Sequence, residues 1–112
     1  MGEKRDEVLQ GTLDMLVLKA LDLEPMHGWG ITERLEHWSE SVLRLNQGTL
    51  YRSLYRLERH GFIASEWEET ENNRRARYYA LTPSGRRQLA EERQSWQRMS
   101  RAVNLVLAFG ES

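Results

Sequence analysis

Arginine, tyrosine, threonine and amide side chains are concentrated in one stretch of the sequence, residues 46–61. Guanidinium groups bind phosphates and the edges of guanine bases, and the other types donate or accept hydrogen bonds at phosphates or bases. The stretch therefore predicts a surface that binds nucleic acid. Its candidate contact residues are Gln47, Thr49, Tyr51, Arg52, Tyr55 and Arg56.

Three leucines at helical spacing predict that this stretch is one helix with a single buried stripe. Asn46 or Thr49 could cap its start, and Gly61 supplies the left-handed residue that ends it. An ordinary surface helix with solvated arginines is the alternative. The stripe consists of Leu50, Leu54 and Leu57. The faces away from it carry Thr49, Arg52, Ser53, Arg56 and Arg59.

Two further helices are predicted before this one. Residues 8–24 form the first, and residues 29–38 form the second, whose wet side includes Thr32. Residues 39–45 connect the second helix to the arginine-bearing one, which is the arrangement of a helix-turn-helix. The first helix has its apolar stripe at Leu9, Leu13, Leu16, Val17, Ala20 and Leu21, and the second at Trp29, Ile31, Leu35 and Trp38.

Met15 and Leu18 lie off the main apolar stripe of the first helix. A helix that is apolar on more than one side contacts two different surfaces, which here would be the core and a partner. Complete burial within a single chain is the alternative, although so short a chain has little with which to surround a helix.

A polar loop separates two strand-like segments after residue 61. The strand patterns predict a two-stranded hairpin made of residues 62–67 and 77–81. Residues 68–76 form its loop. A hairpin beside the predicted reader helix is a wing, and arginines there can contact a phosphate backbone or a minor groove. Glutamates at 66, 68, 69 and 71 offer the alternative that they pair with those arginines. The wing candidates are Arg74, Arg75 and Arg77.

The C-terminal segment predicts a long helix that begins with Thr82 as its cap and Pro83 in its first turn. Apolar residues repeat at seven along it, and a second copy of the chain would cover that seam unless the helix folds back onto the first one. We therefore predict a DNA-binding domain at 8–82 and a dimerisation helix at 83–110. The predicted interface residues are Met15, Leu18, Leu89, Trp96, Met99, Val103 and Val106.

Composition excludes several other functions. The chain of 112 residues carries a net charge of −1, but residues 44–87 hold nine arginines against five glutamates, which is where a polyanion would bind. Without cysteine, and with three histidines that lack metal-ligand spacing, we predict no metal, no cofactor and no enzyme. No apolar run could cross a membrane and no signal region opens the sequence, so a cytoplasmic protein is expected.

The sequence resembles the PadR family of winged helix-turn-helix transcriptional regulators over roughly residues 10–100. Trp29 stands where that family usually has tyrosine, and Arg52 where it commonly has proline. The resemblance implies an α+β fold that is mainly α, with a small β-hairpin and a long C-terminal helix. The matching motifs are MHGWGI at 26–31, QGTLY at 47–51, RLERHGFI at 56–63 and RYYALTPSG at 77–85.

The same resemblance implies a homodimer that represses transcription from a palindromic operator in double-stranded DNA. Some members of the family stack planar ligands on a tryptophan of the last helix, so Trp96 either binds a small aromatic effector or simply packs in the seam. Two alternatives remain open: a winged-helix module that binds another protein, and a small-molecule sensor that does not bind DNA.

Overall fold

Four helices and one antiparallel sheet make up the chain in the computed structural model, which describes residues 2–111 and, from residue 10 onward, their side chains. The architecture is α+β, a winged helix-turn-helix followed by a long C-terminal helix, so the predicted fold class is confirmed. The elements are α1 (Gly2–Leu23), β1 (Met26–His27), α2 (Gly28–Trp38), α3 (Gln47–Arg59), β2 (Ile63–Glu69), β3 (Arg75–Leu81) and α4 (Pro83–Ala108).

Local capping explains where α3 and α4 begin. The side chain of Asn46 accepts a hydrogen bond of 2.7 Å from the Thr49 N–H, so Asn46 is the cap of α3. Gly61 follows the end of α3 with φ of 77°, which L-residues with side chains rarely adopt. The Thr82 hydroxyl caps α4 by accepting from the Gly85 N–H, and Pro83 occupies its first turn as predicted.

Helix α1 runs through the core and contacts α2, α3, α4 and β3. Its residues Met15 and Leu18 are only 8% and 1% exposed, so the predicted contact of these two residues with a partner is wrong and the alternative of burial within the chain holds. Because other elements cover α1 on several sides, both residues pack in the core of their own chain and leave little surface for a partner. Leu9, also assigned to the buried stripe, lies outside the residues whose side chains are described.

The sheet has three strands in the order β1-β3-β2, and not the two that the sequence predicts. Met26 pairs with Tyr79 and His27 with Tyr78, which adds β1 to the far edge of β3. A strand of two residues is too short to show an alternating pattern. The hairpin is also longer than predicted, because β2 extends to Glu69 and β3 already begins at Arg75.

Helix α2 departs from the predicted division between apolar and polar sides. Only Ile31 and Leu35 of its predicted stripe are buried, while Trp29 is 61% exposed and Trp38 is 43% exposed. Thr32, predicted on the wet side, is buried and its hydroxyl donates to the Gly28 carbonyl one turn earlier. The indole rings of α2 are therefore available on the surface.

Helix α4 belongs to the core only near its start. Leu89 packs against the buried cluster and is 8% exposed, so its predicted place in an exposed seam is wrong. Further along, the helix extends away from the rest of the protein. The longest dimension of the whole molecule is 60 Å. The exposed apolar residues of this distal part are Trp96, Met99, Val103, Leu105, Val106 and Leu107, with Phe109 just beyond the helix end.

Candidate nucleic-acid interface

The outer surface of α3 presents two tyrosines and an arginine to solvent. Tyr51, Arg52 and Tyr55 are exposed, and Gly48 and Arg56 complete a shallow hollow around them. The Arg52 guanidinium donates a hydrogen bond of 3.2 Å to the hydroxyl of Thr49 one turn earlier. This contact aims the cation along the first half of the helix, where a reader helix meets base edges.

Gln47 lies at the first position of α3 and is held by α2. Its amide nitrogen donates to the Thr32 hydroxyl at 3.2 Å, which joins the two helices of the helix-turn-helix. The amide oxygen of Gln47 remains the group with which this residue could contact DNA.

Ser53 and Arg56 do not both face outward as predicted. Ser53 is fully buried, and its hydroxyl donates to the carboxylate of Asp14 on α1. The predicted outer position of Ser53 is therefore wrong, because α1 covers that side of α3. Arg56 forms an ion pair of 2.8 Å with the same carboxylate and is about one-third exposed.

An open cleft of about 640 Å³ lies between α3, the start of α2 and the wing, by which we mean β2, β3 and the turn between them. Gly28 forms part of its wall, and a Cβ there would come within 2.8 Å of the Tyr51 hydroxyl. Glycine thus allows the tyrosine to lie against α2. The cleft is lined by aromatic and cationic side chains: His27, Trp29, Tyr51, Trp67, Tyr79, Arg74, Arg75 and Arg77.

Strand alternation sorts the charges of the wing onto two faces. Trp67 is opposite Arg77 and Glu69 is opposite Arg75 in the register of β2 and β3, so these residues share the cleft face. Glu66 and Glu68 occupy the alternate positions and point to the other face. Within the described part of the chain, no ion pair joins a wing glutamate to Arg74 or Arg75.

Trp67 forms a platform for two of the wing arginines. The guanidinium of Arg75 lies 5.5 Å from the centre of the indole ring, and that of Arg77 lies 5.9 Å from it. Arg77 also donates from Nε to the Ser65 hydroxyl at 2.7 Å and lies 3.5 Å from Glu58 on α3. Arg74, in the turn, is exposed.

Tyr79 lies in the wall of the cleft and is 6% exposed. Burial raises the pKa of its phenol, an effect that Arg77 opposes and that Tyr51 and Glu58 reinforce. The hydroxyl therefore stays protonated at neutral pH and remains a hydrogen-bond donor.

Several residues of this surface escaped prediction from the sequence. Asp14, Glu58 and Ser65 hold the arginines, and Trp67 supports two of them. Asp14 and Arg56 are 42 positions apart, and no local periodicity signals a contact over that distance. A tryptophan in a strand beside the arginines was the one visible sign of the platform.

Two properties of the described residues bear on other kinds of function. No three histidine, aspartate or glutamate side chains in that part of the chain come together as metal ligands would. None of the helices there combines the length and apolar character that a membrane span requires.

Comparison with known proteins gives a consistent result. Residues 17–91 match the Transcriptional regulator PadR-like family. Over 78 residues the chain is 37% identical to the transcriptional regulator Rv3488 of Mycobacterium tuberculosis, covering 70% of this chain and 69% of the relative.

Solved structures show the same fold. A PadR family transcriptional regulator from Eggerthella lenta superposes with a TM-score of 0.81 and 31% identity, covering 97% of this chain and 93% of its own. A PadR-like transcriptional regulator from Bacillus cereus gives a TM-score of 0.77 and 27% identity, covering 94% and 99%.

Proposed function

This chain belongs to the PadR-like family of transcriptional regulators, and on that premise we propose that it is a homodimeric repressor of a palindromic operator. Family membership makes it a regulator and not an enzyme. The observation that carries the proposal is the distribution of charge in the wing: Arg74, Arg75 and Arg77 line a cleft beside α3. Of the strand glutamates, Glu69 shares that face, while Glu66 and Glu68 face away from it. Such a surface suits the negatively charged backbone of DNA.

In this proposal α3 enters the major groove. Tyr51, Arg52 and Tyr55 stand exposed on its outer surface and would meet base edges and phosphates, with Gln47 and Thr49 at its start. Arg74 and Arg75 would contact the backbone from the wing. Because the protein acts on DNA, it would work in the compartment that holds it, which is the cytoplasm in a bacterium.

The distal part of α4 supports the proposed dimer. Trp96, Met99, Val103 and Val106 are between 45% and 74% exposed, although they are apolar and on one helix. A second copy of the same helix would bury them by symmetry. The two copies of α3 would then read half-sites about one helical turn, or ~34 Å, apart.

We further propose that a small aromatic compound acts as the effector by stacking on Trp96. The indole of this residue is half exposed and offers a flat face that binds conjugated rings with little directional demand. Binding there would change the angle between the two subunits, and with it the spacing of the α3 helices. Quenching of Trp96 fluorescence by a ligand, accompanied by release of the operator, would support this role; plain packing of Trp96 in the seam predicts neither.

Selection of bound sequences from a random DNA pool is the decisive experiment. A repressor of this type should enrich a palindromic motif, and its affinity should fall as salt rises. Arg52→Ala should weaken binding and lower the salt slope by about one if the guanidinium contacts a phosphate. Arg86→Ala is the matched control, because this arginine is paired with Asp22 on α1 and lies outside the proposed surface.

Two outcomes would contradict the proposal. Failure to enrich any motif, with no salt-dependent binding, would favour a module that binds another protein. Ligand-dependent fluorescence quenching without any effect of DNA would favour a small-molecule sensor.

A further inference from the structure

We infer that Arg77 is a positioning residue that braces the wing against α3, and that Arg74 and Arg75 are the wing cations that meet the DNA backbone. The inference rests on the proposed DNA binding and assigns different roles to three arginines that the sequence places together.

The brace consists of three side chains from three elements. Arg77 on β3 donates from Nε to the Ser65 hydroxyl on β2 at 2.7 Å. The same hydroxyl donates to Oε2 of Glu58 on α3 at 2.6 Å. Nη2 of Arg77 lies 3.5 Å from that carboxylate oxygen, so one carboxylate holds both strands of the wing to the last turns of α3.

Arg77 differs in this respect from its neighbours in the wing. Arg75 stacks on Trp67, and within the described part of the chain no carboxylate lies within ion-pair distance of Arg74 or Arg75. Both are exposed and free to approach a polyanion. Arg77 is also exposed, at 46% of its side chain, but it shares its charge with Glu58, and the pair together carries no net charge.

Breaking the pair in order to bind DNA would be unfavourable. A phosphate that captured Arg77 would leave the partly exposed Glu58 carboxylate without its cation and close to the negatively charged backbone, which would repel it. Keeping the pair intact fixes the angle between the wing and α3, which decides whether both reach the same stretch of duplex. The geometry therefore favours support of the interface over direct contact.

Removal of Glu58 distinguishes the two roles by the sign of its effect. If Arg77 contacts a phosphate, Glu58→Ala frees it and removes a repelling charge, so operator affinity should rise or stay unchanged. If Arg77 braces the wing, Glu58→Ala should lower affinity several-fold even though the protein becomes more positive. Ser65→Ala should also lower operator affinity, although it leaves the charge of the protein unchanged.

A double-mutant cycle provides the matched control. Arg77→Ala should cost little further affinity in the Glu58→Ala background, because both changes remove one brace. Arg75→Ala should cause the same loss of operator affinity in the wild-type protein and in the Glu58→Ala variant. Arg77→Lys keeps the charge but not the planar fork, and it should not restore wild-type affinity.

Hydrogen exchange of the DNA-free protein tests the brace independently. Amides of residues 64–80 should exchange faster in Glu58→Ala and Ser65→Ala than in the wild type, while those of α1 should keep their protection. Unchanged exchange in the wing, or operator binding by Glu58→Ala that is as tight as that of the wild type or tighter, would overturn the inference. If the wild type bound no DNA at all, the proposed function would fail, and exchange would still decide whether Arg77 braces the wing.

Discussion

Asp14 on α1 and Arg56 on α3 form a two-point contact, with Oδ1 2.8 Å from Nη2 and Oδ2 3.3 Å from Nε. The buried hydroxyl of Ser53 donates to the same carboxylate. Asp14 therefore acts together with the buried stripe of Leu50, Leu54 and Leu57 to fix the rotation of α3, which leaves Tyr51 and Arg52 facing outward. Arg56 serves the orientation of the helix in this arrangement.

Asp14→Ala is expected to lower the free energy of unfolding by about 1–2 kcal/mol, because it leaves the Ser53 hydroxyl buried without an acceptor and Arg56 without its anion. Urea denaturation measures the change. Asp22→Ala is the control: its partner Arg86 is largely exposed, so the loss should stay below ~1 kcal/mol. Equal losses in the two variants would contradict the role given to Asp14.

Gly85→Ala should destabilise the fold by about 2 kcal/mol or more. A Cβ at this position would lie 2.0 Å from the backbone carbonyl oxygen of Phe62, which cannot rotate away as a side chain could. Gly11→Ala provides the contrast, since its Cβ meets nothing within 4 Å on α1 and should stabilise by roughly 0.5–1 kcal/mol. Thermal unfolding followed by circular dichroism checks this: the unfolding temperature should fall for Gly85→Ala and rise for Gly11→Ala.

Tyr79 should make the fold less stable at alkaline pH. Because the pKa of its phenol is higher in the folded chain than the ordinary value of 10.0, its contribution is fully present below pH 10 and is lost as pH rises through the folded pKa. Tyr79→Phe should therefore lose less stability than the wild type over the same rise. Urea denaturation below and above pH 10 measures both slopes, and parallel slopes would show that the phenol does not titrate in this way.

Val103→Glu should convert the proposed dimer into a monomer, because it places a charge in the centre of the exposed apolar surface of α4. Sedimentation velocity measures the change. Leu89→Ala is the comparison: it should lower stability by about 2–4 kcal/mol through the core of its own chain. A wild-type protein that sediments as a monomer, or a Val103→Glu dimer, would rule out this interface.

Features that depend on local periodicity and capping were predictable. The stripe of Leu50, Leu54 and Leu57, the end of α3 shortly before Gly61 and the start of α4 after Thr82 all follow from neighbouring residues. In α3, helical spacing alone identifies the apolar side, since its leucines recur every three or four positions.

Features that depend on the tertiary arrangement could not be found in this way. Spacing cannot state how many sides of a helix the rest of the chain will cover, so it cannot show that Met15 and Leu18 are buried within their own chain. It also cannot pair Asp14 with Arg56 or Glu58 with Arg77, because these contacts exist only after α1, α3 and the wing have packed together. The sequence thus predicts the buried stripe of α3 but not the carboxylates that hold Arg56 and Arg77.

The two-sided wing also has a consequence for how the protein meets a duplex. Its arginine side is attracted to a polyanion, while Glu66 and Glu68 on the reverse side are repelled by one. A duplex that approached the Glu66 and Glu68 face would be repelled before it could contact α3. The charges of the hairpin therefore orient the protein during diffusional encounter, so that its arginine face meets the DNA first.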